Sequence, residues 1–326
     1  MSSGSRIYYL DLVKVLAMFL VVYGHLFTGD SATDLYIYGF HLPCFFLVSG
    51  VFHKFTGKIR WKKYAVDLLW PTAIFIVINF LFRLLHGFVA PEGQGLTEAV
   101  DFVKAQILGL AYGRGIGVYW FLIALFWTRI FCDITMASRH KWIPVSVWIV
   151  MLLVPHFMKI HLPLLISNGL MGLPFYMVGA YGKDTLRSLK CNWKYLIPFV
   201  ICLVGTFLLS RLNGKVSMVG VYFGSHGALS IPLFYLNGLV GSMMLISLSL
   251  LPFKDFPVVT KIALSLITIV GIQEIFIMIY SDIFGRNNGF LLSFVSACVI
   301  LLLCHLAHRF LSPLYNWDKI RSLANE

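Results

Sequence analysis

Apolar stretches of membrane-crossing length, separated by short polar loops, repeat along this whole 326-residue chain. A crossing helix needs about 17–25 predominantly apolar residues. Runs near that size fall at 8–27, 36–53, 64–86, 117–136, 143–158, 164–182, 195–210, 228–251, 258–280 and 288–308. They predict ten helices, of which those at 143–158 and 195–210 are the shortest. Residues 96–112 are less apolar and predict a short helix at the membrane surface. The runs are too long, and alternate too little, for barrel strands. The expected fold is all-α: a polytopic helical bundle forming one transmembrane domain over residues 1–326, with short tails.

Composition removes the other classes. The apolar set makes up 59% of the chain, charged residues 12%, and mean hydropathy is +0.83. A soluble fold of this length cannot bury that much apolar surface, and disorder or a collagen-like fibre is excluded as well. The first apolar run contains Lys14 and no small-residue cleavage site, so it is expected to remain as the first span. The six cysteines lack metal or redox spacing, and most lie in apolar runs, which predicts packing residues and no metal site.

The net charge of +12 points to basic inner loops rather than to nucleic acid. With the N-terminus inside, seventeen Lys and Arg fall on the inner side, from Arg6 and the 54–63 loop to Lys319 and Arg321. Seven fall outside: Arg83, Lys104, Arg114, Lys159, Arg211, Lys215 and Arg286. The first two outer loops are acidic, with Asp30, Asp34, Glu92 and Glu98. The expected topology is N-in and C-in.

Charges inside spans are costly and mark function or an interior cavity. Asp11, Lys14 and His25 share the first helix. Lys14 and His25 differ by only about 20° around its axis and lie about 16 Å apart along it. Asp11 is one turn from Lys14 on the same side. This polar stripe should face the bundle interior, with Lys14 and His25 serving different parts of a substrate or different ends of a channel. The alternative is an Asp11–Lys14 neutralising pair with His25 at the outer interface. The second span opens Gly39-Phe40-His41-Leu42-Pro43, which sets His41 near the level of His25. Two imidazoles at one level suit proton transfer; an interfacial histidine is the bland reading.

These residues carry a resemblance. Asp11-x-x-Lys14 followed by His25 looks like the basic-residue-x10-His signature of the acyltransferase 3 family of integral membrane acyltransferases. Phe40-His41-Leu42-Pro43, Phe45-Phe46 and Ser49-Gly50 resemble that family's second-helix motif. Leu68-Leu69-Trp70-Pro71, Tyr119-Trp120-Phe121-Leu122 and Pro174-Phe175-Tyr176 with Gly179 are similar to later family elements, in order. Two positions depart from the pattern: Gln273, followed by Glu274, stands where a late histidine is common, and Lys14 replaces an arginine. The chain is most like the short members that O-acetylate sugars, such as O-antigen acetylases and fucose 4-O-acetylase-like proteins. The resemblance implies acetyl-CoA as donor and a hydroxyl of a bacterial surface glycan, or of its lipid-linked precursor, as acceptor. The expected setting is the bacterial inner membrane.

The chemistry follows from that. A sugar hydroxyl needs a base within hydrogen-bond reach, and His25 is the first candidate. An acetyl-imidazole on His25 is the alternative. Asp11 and Lys14 orient the helix, or Lys14 holds an anionic part of the donor. His41 or Ser49 could donate to the developing oxyanion. In the 53–63 loop, Arg60, Lys62 and Lys63 are candidates for CoA phosphates and Trp61 for stacking on adenine. The alternative is a loop that only sets topology. Arg114, among three glycines, and Tyr119 and Trp120 just after it are candidate glycan contacts. Glu274 is a fourth, or else a partner for Arg129, while Arg83 is expected to anchor an outer helix end.

Two other functions stay open at this stage. One is a transporter or flippase of a lipid-linked glycan, against which no inverted repeat is evident. The other is a related transferase using a different donor, such as succinyl-CoA.

Overall fold

The structure is a computed structural model that describes residues 7–27, 31–89, 95–114, 117–285 and 289–316. Arg6, Asp30, Glu92, Arg286, Lys319 and Arg321, which entered the reading of sidedness, lie outside the described residues. The chain runs α1 (Tyr8–Leu26), α2 (Ser31–Tyr38), α3 (His41–Val51), α4 (Trp61–Tyr64), a π turn over Ala65–Leu69, α5 (Trp70–Val89), α6 (Gly95–Tyr112) and α7 (Trp120–Ala137). It continues through α8 (Trp142–Phe157), α9 (Ile166–Tyr181), α10 (Lys183–Ser188), α11 (Leu196–Asn213), α12 (Ser230–Ser249), α13 (Pro257–Leu264), α14 (Leu266–Phe284) and α15 (Phe290–Tyr315). Among the described residues, nine helical stretches are long and apolar enough to cross a membrane, and α8 is a shorter apolar helix. The fold is the expected all-α membrane bundle.

Burial separates centre from periphery. α3 and α9 are mostly buried, whereas α11 buries only Thr206, Ser210 and Asn213 among its 18 residues. The outward rows of α11 and α15, including Ile197, Ile201, Leu208, Leu291 and Leu306, are exposed in the protein and suited to lipid. α1 is central and touches α3, α12, α13, α14 and α15. α3 and α9 meet backbone to backbone. A Cβ at Gly50 would overlap the Tyr176 carbonyl oxygen, and one at Gly179 would overlap that of Leu47. Between membrane helices, such small-residue contacts supply the van der Waals contact that hydrophobic burial supplies in water.

Several predicted spans differ in detail. The second is two helices, α2 and α3, meeting at Gly39-Phe40, so His41 opens α3. The ninth is broken at Ser265, between α13 and α14. There the Ser265 hydroxyl approaches the Ile262 carbonyl at 2.9 Å and His305 Nδ1 at 3.0 Å. The span expected at 195–210 belongs to an apolar stretch of 21 residues, Trp193–Asn213. The helix expected to be short at 96–112 is α6, 18 residues long and packed along α5.

Candidate active site

Three adjoining cavities run along one side of α1. The largest, of about 1150 Å³, is walled by His25, Arg83, Trp120, Glu274 and the inner face of α6. The second, of about 200 Å³, is lined by His25, Tyr38, His41, Trp120 and Gln273 among apolar side chains. The third, of about 310 Å³, is lined by Lys14, Ser49, Phe52, Arg129 and residues of α13 and α14. His25, Val118, Trp120 and Val219 belong to the walls of both the first and the second. Met18, Phe45, Phe121 and Val270 belong to both the second and the third.

The polar stripe of α1 is therefore divided along this run. His25 is exposed although Gly24 and Leu26 beside it are buried, and it faces both upper cavities. Lys14 faces the third, with its ammonium 3.3 Å from Asp11 Oδ1 and 4.0 Å from the centre of the Phe52 ring. Asp11 is buried beneath it. Arg187 approaches the same Phe52 ring at 5.9 Å. Two cations and Arg129 thus gather at the Lys14 end of the run.

His41 is 2% exposed, and its Nδ1 lies 2.6 Å from the Ile37 carbonyl oxygen. A carbonyl only accepts, so the proton sits on Nδ1, and Nε2 keeps its lone pair. That arrangement excludes His41 as a neutral donor at Nε2 and leaves it an acceptor or base. Ser49 lines the third cavity, away from the histidines. Gln273, the departure noted in the sequence, lines the histidine cavity; it is 1% exposed, and its Oε1 has no hydrogen-bond partner.

The charges at the His25 end pair differently from the sequence expectation. Glu274 meets Arg83, with Oε1 2.9 Å from Nη2, and does not meet Arg129. Arg129 faces Asp67 at 3.8 Å. Arg83, expected as an anchor, is instead a cavity wall. Trp120 lines two cavities, whereas Tyr119 is fully buried, its hydroxyl within 3.4 Å of the Phe75 and Gly271 carbonyls. Arg114 is exposed and lies outside the lining of all three cavities. It sits near His161, whose imidazole is held below its ordinary value first by burial and then by the charge of Arg114.

The basic loop is tied down by a network that the sequence reading missed. Asp133 Oδ2 accepts from the Tyr64 hydroxyl at 2.8 Å and from the Arg60 amide at 3.2 Å, while Oδ1 lies 3.1 Å from His53 Nε2. His53 Nδ1 is 2.9 Å from the Tyr176 hydroxyl. Asp133 is fully buried. Arg60 lies over the Tyr64 ring, Lys62 over Trp61, and Lys63 reaches Asp67 at 3.4 Å. Trp61 is 54% exposed. This loop is a surface feature outside the three cavities. His53 reads in the sequence as one more residue of a basic loop, and Asp133 as a charge sharing its span with Arg129 four residues earlier. The intramembrane carboxylate was the available signal.

Among the described residues no group of three His, Cys, Asp or Glu is placed to hold a metal ion. A family model for an acyltransferase domain matches residues 7–309. The comparisons with curated proteins and with solved structures returned no match.

Proposed function

The chain belongs to the acyltransferase 3 family, and from that premise we propose that it is a membrane O-acetyltransferase, one transmembrane domain that moves acetyl from acetyl-CoA to a sugar hydroxyl of a bacterial surface polysaccharide or its lipid-linked precursor. The observation that carries this reading is the position of His25 on the wall shared by the largest cavity and the smallest. A base there reaches an acceptor seated in one and an acyl group delivered through the other.

In this reading the Lys14 end faces the cytoplasm of the inner membrane, as the basic loops favour. The cations Lys14, Arg129 and Arg187, with the Arg60–Lys63 segment on the same side, suit the phosphates of CoA. The small cavity has room for an acyl thioester and not for a nucleotide. His25 takes the proton of the sugar hydroxyl as its oxygen attacks the thioester carbonyl. The tetrahedral oxyanion collapses with cleavage of the C–S bond, and His25 returns the proton to the departing CoA sulfur. The products are a sugar acetate ester and free CoA. Neither His41, as its tautomer stands, nor Ser49 is placed to donate to the oxyanion; the unpartnered Gln273 atom in that cavity is Oε1, an acceptor that suits the sugar hydroxyl and not the oxyanion.

The test is transfer by purified protein in lipid nanodiscs. Acetyl from labelled acetyl-CoA should appear as base-labile ester on glycan from cells lacking the gene. Excess succinyl-CoA should compete poorly. Glycan translocation without ester formation would favour the flippase reading instead.

A further inference from the structure

We propose that the large cavity seats an uncharged polyol segment of the acceptor glycan and excludes a segment whose sugars carry carboxylate. The proposal rests on the carbohydrate-acetylation reading above and specifies what that site admits.

The charge of the wall is the first observation. Glu98, Asp101, Glu274 and Asp282 line the cavity against the single guanidinium of Arg83, and Lys104, outside the lining, offsets Asp101 at 3.3 Å, which leaves the carboxylates in excess. That guanidinium is held by Glu274 at 2.9 Å. His86 Nε2 is likewise occupied, 2.9 Å from Asp282 Oδ2. No cation of the wall is left without a carboxylate beside it, so an anionic ligand would meet net negative potential in a partly water-excluded space.

The second observation is independent of charge. Gln106 and Tyr280, each 6% exposed, line this cavity with a buried polar atom that has no partner: the Gln106 Oε1 and the Tyr280 hydroxyl. Arg83 Nε, His86 Nδ1 and Glu274 Oε2 are buried and unpartnered as well. Buried polar atoms are costly unless a partner arrives. This set mixes donors and acceptors. A sugar hydroxyl is both at once, so a run of vicinal hydroxyls can satisfy such a wall, whereas a carboxylate, which only accepts, cannot serve the Gln106 and Glu274 oxygens.

The experiment uses the full-length protein in nanodiscs and the polysaccharide of cells lacking the gene, stripped of esters by mild base. One portion is left as isolated and one is oxidised at primary alcohols to uronates. Acetyl transfer to the oxidised portion should fall at least tenfold in kcat/KM at low salt and recover partly at high salt. The variant pair Glu98→Lys with Asp101→Lys should restore transfer to the oxidised portion. Equal transfer to both portions, or a loss that neither salt nor the charge-reversed protein relieves, would overturn the inference while leaving acetyl transfer standing. Absence of ester on either portion would overturn the acetylation reading instead.

Discussion

Lys14 and His25, eleven positions apart on one stripe of α1, open into opposite ends of a single run of cavities. Lys14 lies with Phe52 and Arg129, and His25 lies with Arg83, Trp120 and Glu274. A helix rises about 1.5 Å per residue, so one element carries a charged anchor and an imidazole across roughly half a bilayer. In the proposed reaction, a donor entering from one face and an acceptor from the other meet without either crossing.

The scaffold under His41 depends on the closeness of α3 and α9. Gly50→Val should clash with the Tyr176 carbonyl and separate these helices. The expected result is a protein that inserts but loses its monodisperse peak in detergent chromatography, with transfer lost. Gly57→Ala meets no neighbour, but its positive φ should cost about 1–2 kcal/mol.

Asp133 fastens the basic loop to α7. Asp133→Ala removes an acceptor from Tyr64, Arg60 and His53 together. Losing one side of a buried pair typically costs about 3–5 kcal/mol, so thermal unfolding in detergent should shift down markedly. Tyr64→Phe deletes one hydrogen bond and should cost only about 0.5–1.5 kcal/mol. Equal melting temperatures for wild type and Asp133→Ala would show that the network carries no load.

If Arg60, Lys62 and Lys63 hold donor phosphates, replacing all three with Gln should raise the KM for acetyl-CoA with little change in the acceptor KM. Each lost charge-assisted contact is worth roughly 1.5–3 kcal/mol. Unchanged donor kinetics in a correctly inserted protein would reduce the loop to a topology signal.

Sidedness can be read with reporter fusions. Alkaline phosphatase should be active when fused within 87–98 and inactive within 183–194. The opposite pattern would place the Lys14 end outside and reverse the direction of donor entry.

The helices were legible because each apolar run is long, and the α1 stripe because eleven residues are close to a whole number of turns. What escaped is what depends on neighbours. Nothing beside Ser265 announces a break, since its hydroxyl is met by His305, which is remote in sequence. The partner of Glu274 follows from α14 packing against α5, which brings in Arg83 rather than Arg129. Tyr119 and Trp120 are adjacent, equally aromatic and both buried, yet only Trp120 contributes to the cavity walls.

The central claim is that His25 acts as the base, and the most direct measurement is acetyl transfer by His25→Gln at matched membrane levels. Glutamine keeps a side chain that can hydrogen-bond but cannot take a proton at neutral pH. General-base assistance is typically worth 10²–10⁴-fold. The account predicts a fall of that order in kcat, with insertion and acetyl-CoA binding retained. Near-wild-type turnover by His25→Gln would contradict it and leave His25 as part of the wall.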